Sequence, residues 1–325
     1  MKCINKRFVR VCSLLLVCSL CTISGTGCGE NRLEDAFEAD LPGIGIQTSE
    51  ESSKIPYFAS DLCVTDTDVQ DIEADTEDAL AACFFNLNEK KVLYAKNIHE
   101  RMYPASTTKI MTALVALDKG DLDAQTTVSK EAITFSESGV STAKLKEGDV
   151  LTLRQLLYAL LTVSANDAAN VIAEQIAGSQ DAFVEMMNQE AQKIGATNTH
   201  FVNANGLHSE DHYTTVYDLY LMFKHEEFLQ MLQEKEYQAS YQAADGTTVE
   251  AVWSTTNQFT KGDVTVPDGV TAVGGKTGTT TAAMSCLVQL FEDAQGEQYV
   301  AIILGCKERG ILYQEMQTFL SNLNN

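Results

Sequence analysis

Hydrophobic periodicity switches three times along this chain of 325 residues, and the order of the switches restricts the folds open to it. Short apolar runs come first: Ala81-Ala-Cys-Phe-Phe-Asn-Leu87 and Val92-Leu-Tyr-Ala95 read as two strands about the turn Asn88–Lys91. A helical block follows. Ile110, Met111, Leu114 and Leu117 recur at helical spacing between Ser106 and Lys119, and Gly120 ends the run. Leu156, Leu157, Leu160 and Leu161 predict a second helix over Leu153–Thr162 with Thr152 as its cap. A third covers Asp167–Ala177 and stops at Gly178; Ser179 caps a fourth, closed by Gly195, and Thr215 caps a fifth. The strand period then returns over Val270–Lys276, Met284–Phe291 and Tyr299–Leu304, before a terminal helix from Ile311 to Leu323. Two strands, helices, three strands and a helix predict one α+β domain with a five-stranded antiparallel sheet and a helical cluster.

Ahead of this pattern the chain changes character. Lys2, Lys6, Arg7 and Arg10 precede the apolar run Val11–Ile23 and the small residues before Cys28, which together read as an export signal. Cys28, behind Thr26 and Gly27, is a candidate for lipid attachment, although Gly25 stands where an aliphatic residue is usual. From Glu30 to Asp78 there are fifteen acids and two bases, the composition of a solvated spacer. The expected organisation is therefore signal 1–28, acidic spacer 29–78 and folded domain 79–325. The formal charge of −22 argues against a nucleic-acid partner, which requires clustered Lys and Arg. Five of the nine cysteines fall in or beside the signal. Cys63, Cys83, Cys286 and Cys306 form no C-x-x-C pair and read as buried thiols, with Cys286 and Cys306 open to facing each other across a hairpin.

Three short motifs carry the candidate chemistry. Ser106-Thr-Thr-Lys109 opens an amphipathic helix, so Lys109 lies on the same face as Ser106. A serine at a helix N-terminus meets backbone N–H groups that favour developing negative charge, and a lysine freed of its proton can serve as base. The same spacing recurs at Ser141-Thr-Ala-Lys144, but that run precedes the turn-like Lys-Glu-Gly-Asp. Ser164-Ala-Asn166 falls between two helices, where it either projects polar side chains into a cleft or simply marks a helix boundary. Lys276-Thr-Gly278-Thr279 ends an apolar strand, either as a ligand-facing edge or as an ordinary strand-end turn.

In this order and in these settings the three motifs resemble those of penicillin-recognising serine enzymes. More narrowly, the chain resembles the low-molecular-weight D-alanyl-D-alanine carboxypeptidases of peptidase family S11 from about Pro56 onward. Tyr103-Pro-Ala-Ser-Thr-Thr-Lys109, Lys146-Glu-Gly-Asp149, Ser164-Ala-Asn-Asp-Ala168, Phe201-Val-Asn-Ala-Asn-Gly-Leu207, His212-Tyr-Thr-Thr and Gly275-Lys-Thr-Gly278 carry the resemblance. It implies a β-lactamase/transpeptidase-like fold and an acyl-enzyme on Ser106, with Lys109 as general base and Ser164 relaying a proton to the leaving D-alanine. It also implies that Asn166 holds the peptide amide, Lys276 supplies positive potential, and Thr277, Gly278 and Thr279 line the carboxylate site, with Arg309 as a further carboxylate ligand. The implied partners are peptidoglycan stem peptides ending in D-Ala-D-Ala, with β-lactams as covalent inhibitors and no cofactor. Many relatives add a small β-rich C-terminal domain and an amphipathic membrane helix; this chain stops soon after its terminal helix, so membrane attachment is expected through the N-terminus only. The loop Asn203–Leu207 lacks the proline usual in relatives.

Three other readings compete with this one. A class A β-lactamase needs a deacylating Glu, and Glu185-Met-Met-Asn188 offers one only superficially, inside a helical pattern. His208 and His212 lack the His-Glu-x-x-His arrangement of a metal hydrolase. A binding module that keeps the fold without turnover is the non-enzymatic alternative.

Overall fold

The structure, a computed structural model, describes residues 61–223 and 228–323. The export signal, Cys28 and the first part of the acidic spacer lie outside the described residues.

The expected sheet is present, with one strand more than the periodicity indicates. Strands β1 (Val69–Gln70), β2 (Ala81–Asn86), β3 (Lys91–Lys96), β8 (Thr271–Thr280), β9 (Met284–Glu292) and β10 (Gln298–Cys306) form an antiparallel sheet in the order β1-β3-β2-β10-β9-β8. Both faces are covered, which is why the central strands read as nearly continuous apolar runs. Cys83, Phe85, Val288, Leu290, Val300 and Ile302 face the larger core. Phe84, Leu287, Phe291, Ala301 and Ile303 face the smaller one, under α7 (Arg309–Leu320). The period of two also separates Cys286 from Cys306. Cys306 pairs in register with Ser285, so Cys286 points to the opposite face, and the two thiols lie in different cores rather than across from each other.

The larger core holds the helical cluster: α1 (Lys109–Lys119), α2 (Leu153–Leu161), α3 (Asn166–Ala177), α4 (Gln180–Lys193), α5 (Val216–Phe223) and the short α6 (Leu229–Leu232). Their ends follow local chemistry. Thr152 caps α2 in a capping box with Gln155, Ser179 accepts from Ala182 N–H at the start of α4, and Gly178 closes α3 at φ +79°.

Two features depart from expectation. A second sheet of order β4-β5-β6-β7 joins β4 (Gln125–Thr127) and β5 (Val150–Thr152) to the hairpin β6 (Glu236–Gln242) and β7 (Thr248–Ser254). Its sequence signal is Tyr237, Ala239, Tyr241, Val249, Ala251 and Trp253 alternating about Asp245-Gly246. The packed body also reaches upstream of Ala79. Cys63 is buried with its N–H on Tyr220 Oη (2.9 Å), β1 pairs with β3, and buried Thr76 shares a hydrogen bond with Tyr94 Oη. Sparse anchors in an acidic stretch suffice to dock it, and such anchors leave no periodic trace.

Candidate active site

The chain enters α1 through a 3₁₀ turn, Ala105–Thr108, that presents Ser106. Lys109, on the first turn of α1, is fully buried. Its Nζ lies 3.0 Å from Ser106 Oγ, 2.6 Å from Asn166 Oδ1 and 2.5 Å from the carbonyl oxygen of Asn205. Three acceptors in a dry site fix the amine in direction. Burial holds its pKa well below the ordinary lysine value; the charge of Lys276 lowers it further, and Asp167 partly offsets both. A lysine so placed loses its proton far more readily than one in water.

Ser164 follows α2 in a backbone conformation rare for a side-chain-bearing residue, φ +59°, and Asn166 begins α3. The Ser141–Lys144 run turns out to support this loop rather than compete with Ser106. Ser141 accepts the Asn166 N–H (2.8 Å), while Ala143 and Leu145 N–H both donate to the buried Asp167 carboxylate. Desolvation raises the Asp167 pKa, and these N–H donors pull it back.

Strand β8 is the sheet edge beside this loop. Lys276 is fully buried and donates to Ser164 Oγ (2.9 Å) and to the Thr277 carbonyl (2.8 Å). Burial, then the charge of Arg309, lowers its pKa to about 7. The Thr277 hydroxyl lies 2.6 Å from that of Thr256, and Arg309 Nη2 donates to Thr279 Oγ1 at 3.3 Å on the exposed rim. Gly278 is needed for this approach: a Cβ there would stand 2.9 Å from Pro104 O and 3.0 Å from Ser106 N, so β8 meets the 3₁₀ turn backbone to backbone.

The candidate active-site residues thus fall into two adjoining hydrogen-bonded groups and a rim, with Gly278 at the backbone contact between β8 and the 3₁₀ turn. Ser106, Lys109 and Asn166 form the first, Ser164, Lys276 and Thr277 the second, with Thr279 and Arg309 outside. Four contributors carry roles that the motifs do not assign. Asn205, Asp167 and His212 lie within the quoted runs, but Asn205 acts through its carbonyl, which no side-chain pattern encodes, and Asp167 and His212 act through neighbours; Thr256 belongs to no motif. Glu185 lies on the exposed side of α4, opposite buried Phe183 and Met187. Both ring nitrogens of His212 are engaged by protein groups, Thr108 and Val202, and His208 packs edge-on against Tyr103.

A family model described as Peptidase S11, D-alanyl-D-alanine carboxypeptidase, matches residues 68–308. The chain is 34% identical over 250 residues to the D-alanyl-D-alanine carboxypeptidase DacF of Bacillus subtilis (strain 168), covering 74% of this chain and 62% of that protein. It is 34% identical over 242 residues to DacB2 of Mycobacterium tuberculosis, covering 72% and 78%. The chain therefore spans about three fifths (62%) of the length of DacF. Among solved structures, the Streptomyces K15 DD-transpeptidase superposes with a TM-score of 0.70 at 28% identity, over 77% of this chain and 98% of that one. The D-alanyl-D-alanine carboxypeptidase of Mycobacterium tuberculosis H37Rv gives 0.67 at 28% identity, over 78% and 95%.

Proposed function

Because the chain belongs to the S11 family of D-alanyl-D-alanine carboxypeptidases, we propose that it removes the terminal D-alanine from peptidoglycan stem peptides through an acyl-enzyme on Ser106. The observation that carries this reading is the Lys109 amine, buried, depressed in pKa and 3.0 Å from the Ser106 hydroxyl. Lys109 takes the Ser106 proton as Oγ attacks the carbonyl of the penultimate D-alanine. The N–H groups of Ser106 and Thr279 receive the oxyanion. The proton then passes through Ser164 to the departing amine as the C–N bond breaks, and D-alanine leaves. Lys276, 2.9 Å from Ser164 Oγ, keeps that relay oriented and, in its protonated form, electropositive. Water then attacks the ester, Lys109 again removes a proton, and Ser106 is restored. An amine acceptor in place of water makes the same intermediate a transpeptidation donor.

Asn166 holds the substrate amide in this scheme, while Thr277, Thr279 and Arg309 take the terminal carboxylate. The work is done on the outer side of the cell membrane, to which the protein is delivered by its N-terminal signal, with Cys28 as the residue for lipid attachment. Among the described residues no helix is long and apolar enough to cross a membrane. Glu185, the one lactamase-like carboxylate the sequence offers, is turned to solvent on α4, so a penicilloyl ester on Ser106 is expected to persist. Mass spectrometry of the purified protein after brief benzylpenicillin exposure tests this. A drug adduct on Ser106, absent from Ser106→Ala, is expected; intact protein with hydrolysed drug would point to a lactamase, and intact protein with intact drug to a binding module.

A further inference from the structure

Apart from the reacting groups, one buried titratable side chain is tied to both sides of the Lys109 seat. His212 is 2% exposed. Its Nδ1 accepts the Val202 N–H at 3.2 Å, and its Nε2 lies 2.7 Å from Thr108 Oγ1. A backbone N–H only donates, so Nδ1 carries no proton, and the neutral ring places its hydrogen on Nε2, directed at the Thr108 hydroxyl oxygen. Protonating the ring would set a second N–H against that of Val202. Burial, then the neighbouring His200, Lys109 and His208, push the pKa to about 3, which agrees with the hydrogen-bond argument.

The two partners are well chosen. Thr108 immediately precedes Lys109, and Val202 lies on the loop whose Asn205 carbonyl accepts from Lys109 Nζ. A second tie runs from Thr112 Oγ1 to the Ala204 carbonyl (2.6 Å), one turn along α1. The loop is stiff at its other end, where Asn188 exchanges hydrogen bonds with both backbone groups of Phe201, and the Phe201 ring stands edge-on to His212.

We propose that His212 is a positioning residue for the acylation step: its neutral imidazole holds the Val202–Asn205 loop against Thr108, and so keeps Lys109 seated and dry beside Ser106. This rests on the reading of Lys109 as the base for Ser106. Cutting the tie lets the Asn205 carbonyl retreat and water enter, so Lys109 regains proton affinity and acylation needs a higher pH. The charged and titratable groups facing the pair are Lys276 on β8, Asp167 on α3, and His200 and His208 on the loop side. They are the same in every variant, so a difference in pH profile reports the tie alone.

The test is the second-order rate of Ser106 acylation by a fluorescent penicillin, followed against pH in the whole protein. Thr108→Val and His212→Leu are expected to acylate at least about tenfold more slowly at neutral pH, with the acidic limb moved up by about one pH unit or more. His212→Gln restores both, because its carbonyl oxygen can accept from Val202 and its amide can donate to Thr108. Cooperatively melting Thr108→Val protein with an unmoved acidic limb overturns the assignment. Should His212→Leu not fold, Thr108→Val decides alone, since it leaves the ring's bond to Val202 intact. Wild-type protein that is never acylated at Ser106 refutes the underlying function, and with it this role for His212.

Discussion

Replacing Gly206 by alanine should injure the nucleophile more than the fold. Gly206 has φ +83°, and a Cβ there would stand 2.0 Å from the Ala105 carbonyl oxygen and 3.0 Å from Ser106 N. Contacts below 3.0 Å are essentially never made by real Cβ atoms, so the loop and the 3₁₀ turn must part by about 1 Å. The left-handed conformation costs an L-residue about 1–2 kcal/mol, and the forced separation adds about 1–3 kcal/mol. The sum, about 2–5 kcal/mol, lowers Tm by roughly 5–15 °C for a domain of this size. A displacement of about 1 Å at the reacting serine should slow penicillin acylation about 100-fold. Gly178→Ala separates the two effects. That residue has φ +79° at the end of α3 with nothing within 4 Å of its Cβ position, so it carries the conformational cost and no overlap. Gly178→Ala should lose about 1–2 kcal/mol and acylate at the wild-type rate. Stopped-flow acylation beside thermal melts reads both quantities, and equal acylation rates in the two variants would refute the reasoning.

Other substitutions probe separate parts of the account. Thr152→Ala removes the capping box of α2 and should cost about 1 kcal/mol by denaturant titration, leaving acylation unchanged. Lys276 holds its proton less tightly when folded (pKa about 7) than when unfolded, where the ordinary value is about 10.4. The unfolded chain therefore binds more protons between these values, and stability should rise with pH across that window by up to about 1.4 kcal/mol per unit. Lys276→Met should lower that slope in denaturant titrations between about pH 7.5 and 9.5, the buried Lys109, also depressed in pKa, supplying what remains; an unchanged slope would show that Lys276 does not contribute. Arg309→Leu, on the exposed rim beside Thr279, should raise KM for a peptide ending in D-Ala-D-Ala by about tenfold with little change in kcat or Tm. A wild-type KM would remove Arg309 from the carboxylate site.

The parts of this fold legible in the sequence are those in which chemistry and period coincide. Strands β2, β9 and β10 announce themselves because both faces are buried, and α2 and α4 because cap and apolar stripe agree. Ser106 and Lys109 are legible because a helix converts a spacing of three into contact. The β6–β7 hairpin was written in the alternation about Asp245-Gly246, yet its polar outward faces dilute the apolar signal that β9 and β10 display. Cys63 and Thr76 dock a stretch whose composition is that of a spacer, through single anchors rather than a pattern. In the site itself, the Asn205 carbonyl and the Ser141–Leu145 support of Asp167 stayed hidden, because backbone groups are brought there by tertiary packing and not by residue type.

The account stands most directly on release of D-alanine. The purified protein should be incubated with an N-acylated peptide ending in D-Ala-D-Ala, beside the same peptide ending in D-Ala-L-Ala and beside Ser106→Ala, with chiral detection of free alanine. Stoichiometric D-alanine is expected from the first peptide, little free L-alanine from the second, and no free alanine with Ser106→Ala. Intact D-Ala-D-Ala peptide, with no ester at Ser106 in acid-quenched wild-type protein, would contradict it.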